Sequence, residues 1–139
     1  VNTNKQAPLA GWGTAFLRWV VGVVFLMHGG QKLFIYGFHG VAGSMQHMGI
    51  PLPMVSAVVV TLVEFFGGLA LLLGLGTRFA AALLTVNMLV AVLRVHLKNG
   101  FFLPQGFEYA LTLLVANLSL VLTGPGKAAL GNMFSKRKG

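Results

Sequence analysis

Six ionisable side chains stand inside or at the edges of long apolar stretches: Glu64, Lys32, Arg94, His28, His96 and Glu108. Glu64 and Glu108 are the only acids among 139 residues. Glu64 sits in the middle of the apolar run Leu52 to Leu75, which is long enough to cross a bilayer. A carboxylate at that depth costs roughly 2.5–3.5 kcal/mol on insertion scales unless it is paired, protonated or facing a wet cavity. His28 and Lys32 are spaced i, i+4 and share a helix face. Acid/base groups of three types, converging from four segments, could hold the polar part of a ligand and pass protons to it. Two cations and two carboxylates also nearly cancel, as a buried site requires. Glu64 is therefore expected to relay protons or balance charge. His28, Lys32, Arg94, His96 and Glu108 are expected to be ligand contacts, with Arg94 facing inward in salt-bridge reach of Glu108 or Glu64.

Each residue also has a plainer explanation. Glu64 could be a protonated or paired structural carboxyl, Arg94 its structural partner, and His28 a helix-packing histidine. Lys32, Lys98 and Lys127 suit anchoring at a lipid interface. His39 and His47 read as solvated loop residues. Two histidines at similar depth on the first and third runs could ligate a b-type haem, but one pair without a second at matched spacing argues against it. The spacing of His28, His96 and Glu108 specifies no metal.

The elements that must position these residues are read from composition. The chain is 56% hydrophobic and only 9% charged, against about 25% charged in a soluble domain. One crossing needs about 20 apolar residues. Four runs qualify, at about 14–36, 52–75, 77–98 and 106–123, and leave no room for a separate soluble module. The expected fold is an all-α, four-helix transmembrane bundle. Residues 1–13 precede it, a basic tail follows at 124–139, and a short interfacial helix lies within the loop Phe38 to Pro53. The first run exceeds a 7–15-residue signal core and lacks an A-x-A-like site after it, so it reads as a span.

The net charge of +8 forms no single basic face, which disfavours nucleic acid as a partner. It fits topology instead. With alternating spans, Lys5, Arg18, Arg78, Lys127, Lys136, Arg137 and Lys138 fall on one side, and Lys32, Arg94 and Lys98 on the other. That asymmetry places both termini in the cytoplasm and the C-terminal Ser-Lys-Arg-Lys-Gly near anionic lipid as a solvated tail. The six candidate residues then occupy the outer half or the midplane.

Within the spans, Ala57, Val60, Thr61, Glu64, Gly67, Gly68 and Leu71 share one face of the second, a packing stripe of small and polar residues. Ala80, Leu84, Asn87, Ala91, Arg94 and Lys98 align on the third, and Glu108, Thr112, Val115, Ser119 and Leu122 roughly align on the fourth. Gly74-Leu75-Gly76-Thr77-Arg78 lacks the third glycine and the strand context of a dinucleotide fingerprint. Cysteine is absent. That excludes disulfide relays, thiolate metal sites, iron–sulfur clusters and covalently attached haem. Redox chemistry here would need a quinone, another bound cofactor or a partner's centre.

Several motifs in this order resemble the DoxX family. They are His28-Gly29-Gly30-Gln31-Lys32-Leu33, the stretch Glu64-Phe65-Phe66-Gly67-Gly68 through Gly74-Leu75-Gly76-Thr77-Arg78, then Gly106-Phe107-Glu108 and Leu122-Thr123-Gly124-Pro125-Gly126. The resemblance runs from about Leu17 to Leu130. The family often carries Ser-Leu-Asp after the Gly-Pro-Gly turn. Here Ala128-Ala129-Leu130-Gly131 stands in that place, so any role for that acid is missing. The resemblance implies a small four-helix prokaryotic membrane protein of the plasma (inner) membrane, of the kind found as an accessory subunit in membrane redox assemblies, including a thiosulfate:quinone oxidoreductase. It brings no agreed catalytic residues.

Three functions are compatible with these features. The first is a quinone-linked membrane subunit whose electrons come from a partner. The second is a non-catalytic structural subunit of a larger membrane complex or homo-oligomer, and the third is a small-solute or proton carrier.

Overall fold

The computed structural model describes the backbone of residues 3–137 and the side chains of residues 8–137. Lys138 and the side chain of Lys5, both counted in the charge asymmetry, lie outside them. Helix α1, Thr3–Gly30, continues into a π-helical stretch, Gln31–Tyr36. Gly37 ends that stretch at φ 69°, a backbone conformation open to glycine at little cost. Helix α2, Gly37–His47, follows it directly. The helix expected in the first loop is therefore present, joined to the first span without a linker.

Helix α3, Pro53–Leu73, starts on a proline that fits the first helical turn. It ends in a Schellman motif. The Leu75 N–H donates to the Ala70 carbonyl at 3.0 Å, the Gly74 N–H donates to that of Leu71 at 3.2 Å, and Gly74 takes the left-handed conformation that the motif requires. Only a tight turn separates it from α4, Thr77–Val90. Helix α4 then loosens into a second π-helical stretch, Ala91–His96, and a short 3₁₀ turn, Leu97–Asn99. A hairpin leads to α5, Glu108–Thr123, and the chain closes with α6, Leu130–Lys136.

Three stretches, Pro8–His47, Pro53–Leu73 and Thr77–Asn99, are long and apolar enough to cross a membrane, and α5 is a shorter apolar helix. Their outer faces are apolar and exposed, for example Val20 and Met27 on α1, Phe66 on α3, Phe79 and Val86 on α4, and Leu122 on α5. Apolar surface on every side of a bundle is what a lipid solvent demands. The protein is an all-α membrane protein with its helices in a bilayer.

Packing divides the bundle into pairs. Helix α1 lies along α3 with backbones nearly touching. A Cβ on Gly22 would come within 3.0 Å of the Gly68 carbonyl oxygen, and one on Gly68 within 2.8 Å of the Gly22 carbonyl oxygen. Helix α4 packs on α5 around Leu84, Met88, Leu113 and Leu120, which join Val21, Phe25 and Leu71 in the main core. Helix α2 folds against the start of α3, where Val41 and Met45 pack near Ala57. The packing stripe of the second span holds in α3, where Ala57, Thr61, Glu64, Gly68 and Leu71 are buried. The alignment on the fourth span does not. The buried face of α5 is Ala110, Leu113, Asn117 and Leu120, while Thr112 and Val115 are exposed.

Arg18 is the largest fully buried side chain, at 0% exposure. Its guanidinium donates to the carbonyls of Leu71 (2.6 Å) and Leu72 (3.1 Å) at the end of α3, and to those of Pro125 (2.8 Å), Lys127 (3.0 Å) and Ala128 (3.0 Å) beyond α5. Last-turn carbonyls lack intrahelical partners and carry the negative end of the helix dipole. Arg18 thus caps α3 and ties the 125–128 turn to both α1 and α3. The charge count alone gives Arg18 no such structural role. Residues 125–129, within the segment read as a basic tail, pack into the fold, and the largely exposed α6 follows them.

Candidate ligand-binding site

The close approach of α1 and α3 places the central ion pair. A Cβ on Gly29 would lie 2.8 Å from the Glu64 carbonyl carbon and nearer still to the Phe65 backbone, so no other residue fits there. Three residues later, the Lys32 ammonium reaches Glu64 Oε2 at 2.6 Å. From the other side, the Asn87 side-chain amide on α4 donates to Glu64 Oε1 at 3.0 Å. Both carboxylate oxygens are engaged, and Glu64 is only 5% exposed. Counting along α3 at 1.5 Å per residue, Glu64 lies about 16 Å from Pro53 and about 14 Å from Leu73, near the middle of the span. An unpaired charge there would be strongly unfavourable; a paired and hydrogen-bonded one can persist.

This cluster forms part of the wall of a cavity of about 650 Å³, within the range of small-molecule sites. The wall is mostly apolar, with Phe25, Met45, Val60 and Leu113 among its residues. Its polar members beyond Lys32, Glu64 and Asn87 are few, and include His28, His96 and Tyr109. Val55 and Val59 of α3, and Val86 and Val90 of α4, line it and remain exposed. The cavity is therefore open along the α3–α4 seam, the side of the molecule that meets lipid.

Four of the six expected residues, His28, Lys32, Glu64 and His96, come together around this cavity. Arg94 and Glu108 do not. Arg94 is exposed, and among the described residues the ion pair is Lys32–Glu64 alone. The reason is the π-helical stretch. An α-helical period aligns Arg94 with Asn87 and Ala91, but i→i+5 bonding widens the turn and rotates the residues beyond it. Val92 becomes the buried residue, Val95 and His96 face the cavity, and Arg94 and Lys98 swing outward. Glu108 turns into the hairpin, where Oε1 accepts the Leu103 N–H at 3.1 Å. The same hairpin sets its Gln105 carbonyl oxygen 3.0 Å from His96 Nδ1.

Asn87 and Tyr109 are the site residues that the sequence did not single out. Asn87 had a signal, being an amide on the packing stripe of an apolar span. Tyr109 had none beyond its place beside Glu108.

The DoxX family model matches residues 13–97. The chain belongs to the DoxX family. It is 35% identical over 127 residues to a Bacillus subtilis protein named "Putative oxidoreductase CatD", covering 91% of this chain and 90% of that one. It is 36% identical over 140 residues to an uncharacterized Haemophilus influenzae protein, with 98% of each chain covered. The Escherichia coli "Inner membrane protein YqjF" is 32% identical over 130 residues, covering 90% of this chain and 94% of that one. No solved structure matches it significantly. The glycines that bring α1 onto α3, together with Lys32, Glu64 and Asn87, all fall within the part of this DoxX chain that the family model covers.

Proposed function

We propose that this DoxX protein is a quinone-linked subunit of a membrane oxidoreductase assembly, and that the cavity takes the quinone headgroup from the bilayer. The observation that carries the reading is a lipid-side apolar cavity whose wall holds one compact polar cluster, Lys32–Glu64–Asn87. A quinone has the matching shape of chemistry, an apolar ring and tail with carbonyl acceptors. Lys32 spends one of its three N–H donors on Glu64, so others are available to a ligand oxygen. A fixed cation beside that oxygen stabilises negative charge developing on it during reduction. Conversion of a quinone to a quinol takes two electrons and two protons. The protons fall to acid/base groups of the cavity wall, with Glu64 balancing Lys32 or relaying. In this reading the electrons come from a partner's redox centre, since a chain without cysteine has no dithiol, iron–sulfur cluster or covalently attached haem of its own. The word "oxidoreductase" in the name of the Bacillus subtilis relative supports the same direction. The expected setting is the inner membrane of a prokaryote with both termini cytoplasmic.

Native mass spectrometry of the protein purified with its own lipids tests this, beside turnover of the intact assembly. A bound quinone, and slowed quinone-linked turnover in a normally assembled Glu64→Gln variant, are expected. Normal turnover in that variant removes the relay role. A stoichiometric larger complex without quinone would replace this reading with that of a structural subunit.

A further inference from the structure

We propose that His96 is a hydrogen-bond acceptor in the cavity wall, held in one tautomer by the outer hairpin, and that it selects the hydroxyl-bearing quinol form over the quinone. This rests on the quinone-linked reading and specifies which redox form the site recognises.

The hairpin between α4 and α5 is a closed unit. Backbone bonds run from Gly106 N–H to the Phe102 carbonyl (2.9 Å), from Phe107 N–H to that of Gly100 (3.0 Å) and from Glu108 N–H to that of Phe101 (3.0 Å). The Glu108 carboxylate adds its bond to the Leu103 N–H. This frame fixes the Gln105 carbonyl, which lies 3.0 Å from His96 Nδ1. A carbonyl oxygen can only accept, so Nδ1 carries the proton. In the neutral ring Nε2 is then a bare acceptor. No partner for Nε2 is found among the described residues, and His96 is one of the residues that line the cavity. The arrangement is that of an orienting second partner behind a functional histidine, with the backbone supplying the orienter.

The polar wall is therefore two-sided. Lys32 offers N–H donors, to which both a carbonyl and a hydroxyl oxygen can bond. His96 Nε2 can bond only a ligand that brings its own hydrogen. A quinone has ring carbonyls and no hydrogen to give, whereas a quinol has hydroxyls. The proposed differential interaction lies at His96, the acceptor whose tautomer the hairpin fixes.

Two substitutions separate the two ends of the ring. Asparagine places its amide nitrogen where Nδ1 stands, so His96→Asn keeps a donor for the Gln105 carbonyl and removes the cavity acceptor. Glutamine reaches the Nε2 position with an acceptor oxygen and gives up the hairpin bond. The full chain is reconstituted in phosphatidylcholine nanodiscs, and a short-chain alkyl benzoquinone and its quinol are titrated anaerobically. In His96→Asn the quinol affinity is expected to fall by up to about tenfold, the scale of one hydrogen bond, while quinone affinity stays within about twofold. His96→Gln is expected to keep a quinol preference. Nitrogen chemical shifts of the ligand-free protein are expected to show the Nδ1-protonated ring. An equal change for both redox forms in His96→Asn, no change in either, or an Nε2-protonated ring would overturn the assignment while leaving quinone binding intact. Failure of the unaltered protein to bind either form overturns the quinone reading itself, and this assignment with it.

Discussion

The Lys32 ammonium and the Glu64 carboxylate lie 2.6 Å apart across the α1–α3 contact, on helices held at backbone distance by Gly29 and Gly68. The Glu64 side chain is 6% exposed and that of Lys32 is 23% exposed, so the pair is asymmetric. Losing the lysine strands a desolvated carboxylate; losing the carboxylate leaves a lysine with some access to polar surroundings.

Lys32→Met is accordingly expected to destabilise the protein by about 3–5 kcal/mol, the usual penalty for breaking a buried pair from one side. The double variant Lys32→Met, Glu64→Leu should recover much of that loss, since two apolar groups need no partners. Thermal unfolding in detergent of the two single variants and the double one measures the coupling. Additive losses would mean that the two charges are solvated independently.

Two adjacent glycines give a sharper packing test. On Gly29 a Cβ would drive into the backbone of Glu64 and Phe65, whereas on Gly30 the nearest foreign atom is the Phe65 ring at 3.9 Å. Gly29→Ala should separate α1 from α3, displace Lys32 from Glu64 and lower stability severely. Gly30→Ala should be neutral or gain up to about 1 kcal/mol from helix propensity. Similar behaviour of the two alanine variants in size-exclusion and melting experiments would contradict this α1–α3 geometry.

How far the sequence reveals this depends on what each residue's neighbours say. Glu64, Lys32 and His28 stand out because charge or imidazole inside an apolar run is costly wherever the run goes, and the small residues of the second span announce its packing face. Arg18 is the opposite case. A cation near the end of a span is ordinary, and nothing local indicates that the 125–128 turn returns to wrap it. Arg94 fails for a third reason, because a π-helical stretch changes the period on which facing residues are counted. The site was legible where chemistry is expensive, and illegible where distant backbone or a local change of helix type decides.

Arg18 and Arg94 therefore exchange the importance that their positions suggest. Arg18 donates to five carbonyls in two directions, a pattern that fits a planar fork and not a single ammonium. Arg18→Lys is expected to lose at least about 3 kcal/mol, since each charge-assisted bond is worth about 1.5–3 kcal/mol, and Arg18→Ala should fail to accumulate as folded protein. Arg94→Ala and Lys98→Ala, on exposed positions, should each stay within about 0.5 kcal/mol. Comparing folded yield and melting temperature across the four variants decides the matter. A mild Arg18→Lys phenotype would show that the carbonyl cradle tolerates a point charge.

The basic residues set an expectation for orientation in the membrane. Among the described residues, Arg18, Arg78, Lys127, Lys136 and Arg137 fall at one end of the bundle, and Lys32, Arg94 and Lys98 at the end that holds the cavity and the hairpin. The more positive end belongs in the cytoplasm, which would put the cavity in the outer half of the bilayer and the Gln105 hairpin outside. Gln46 and Gln105 are both exposed, so single cysteines there are accessible to reagents in a chain that has none of its own. In intact cells an impermeant maleimide is expected to label Gln46→Cys and Gln105→Cys and to leave Ser135→Cys unmodified. Inverted vesicles should give the reverse. Labelling of Ser135→Cys alone in intact cells would turn the protein over, and with it the leaflet from which a quinone could reach Lys32 and His96.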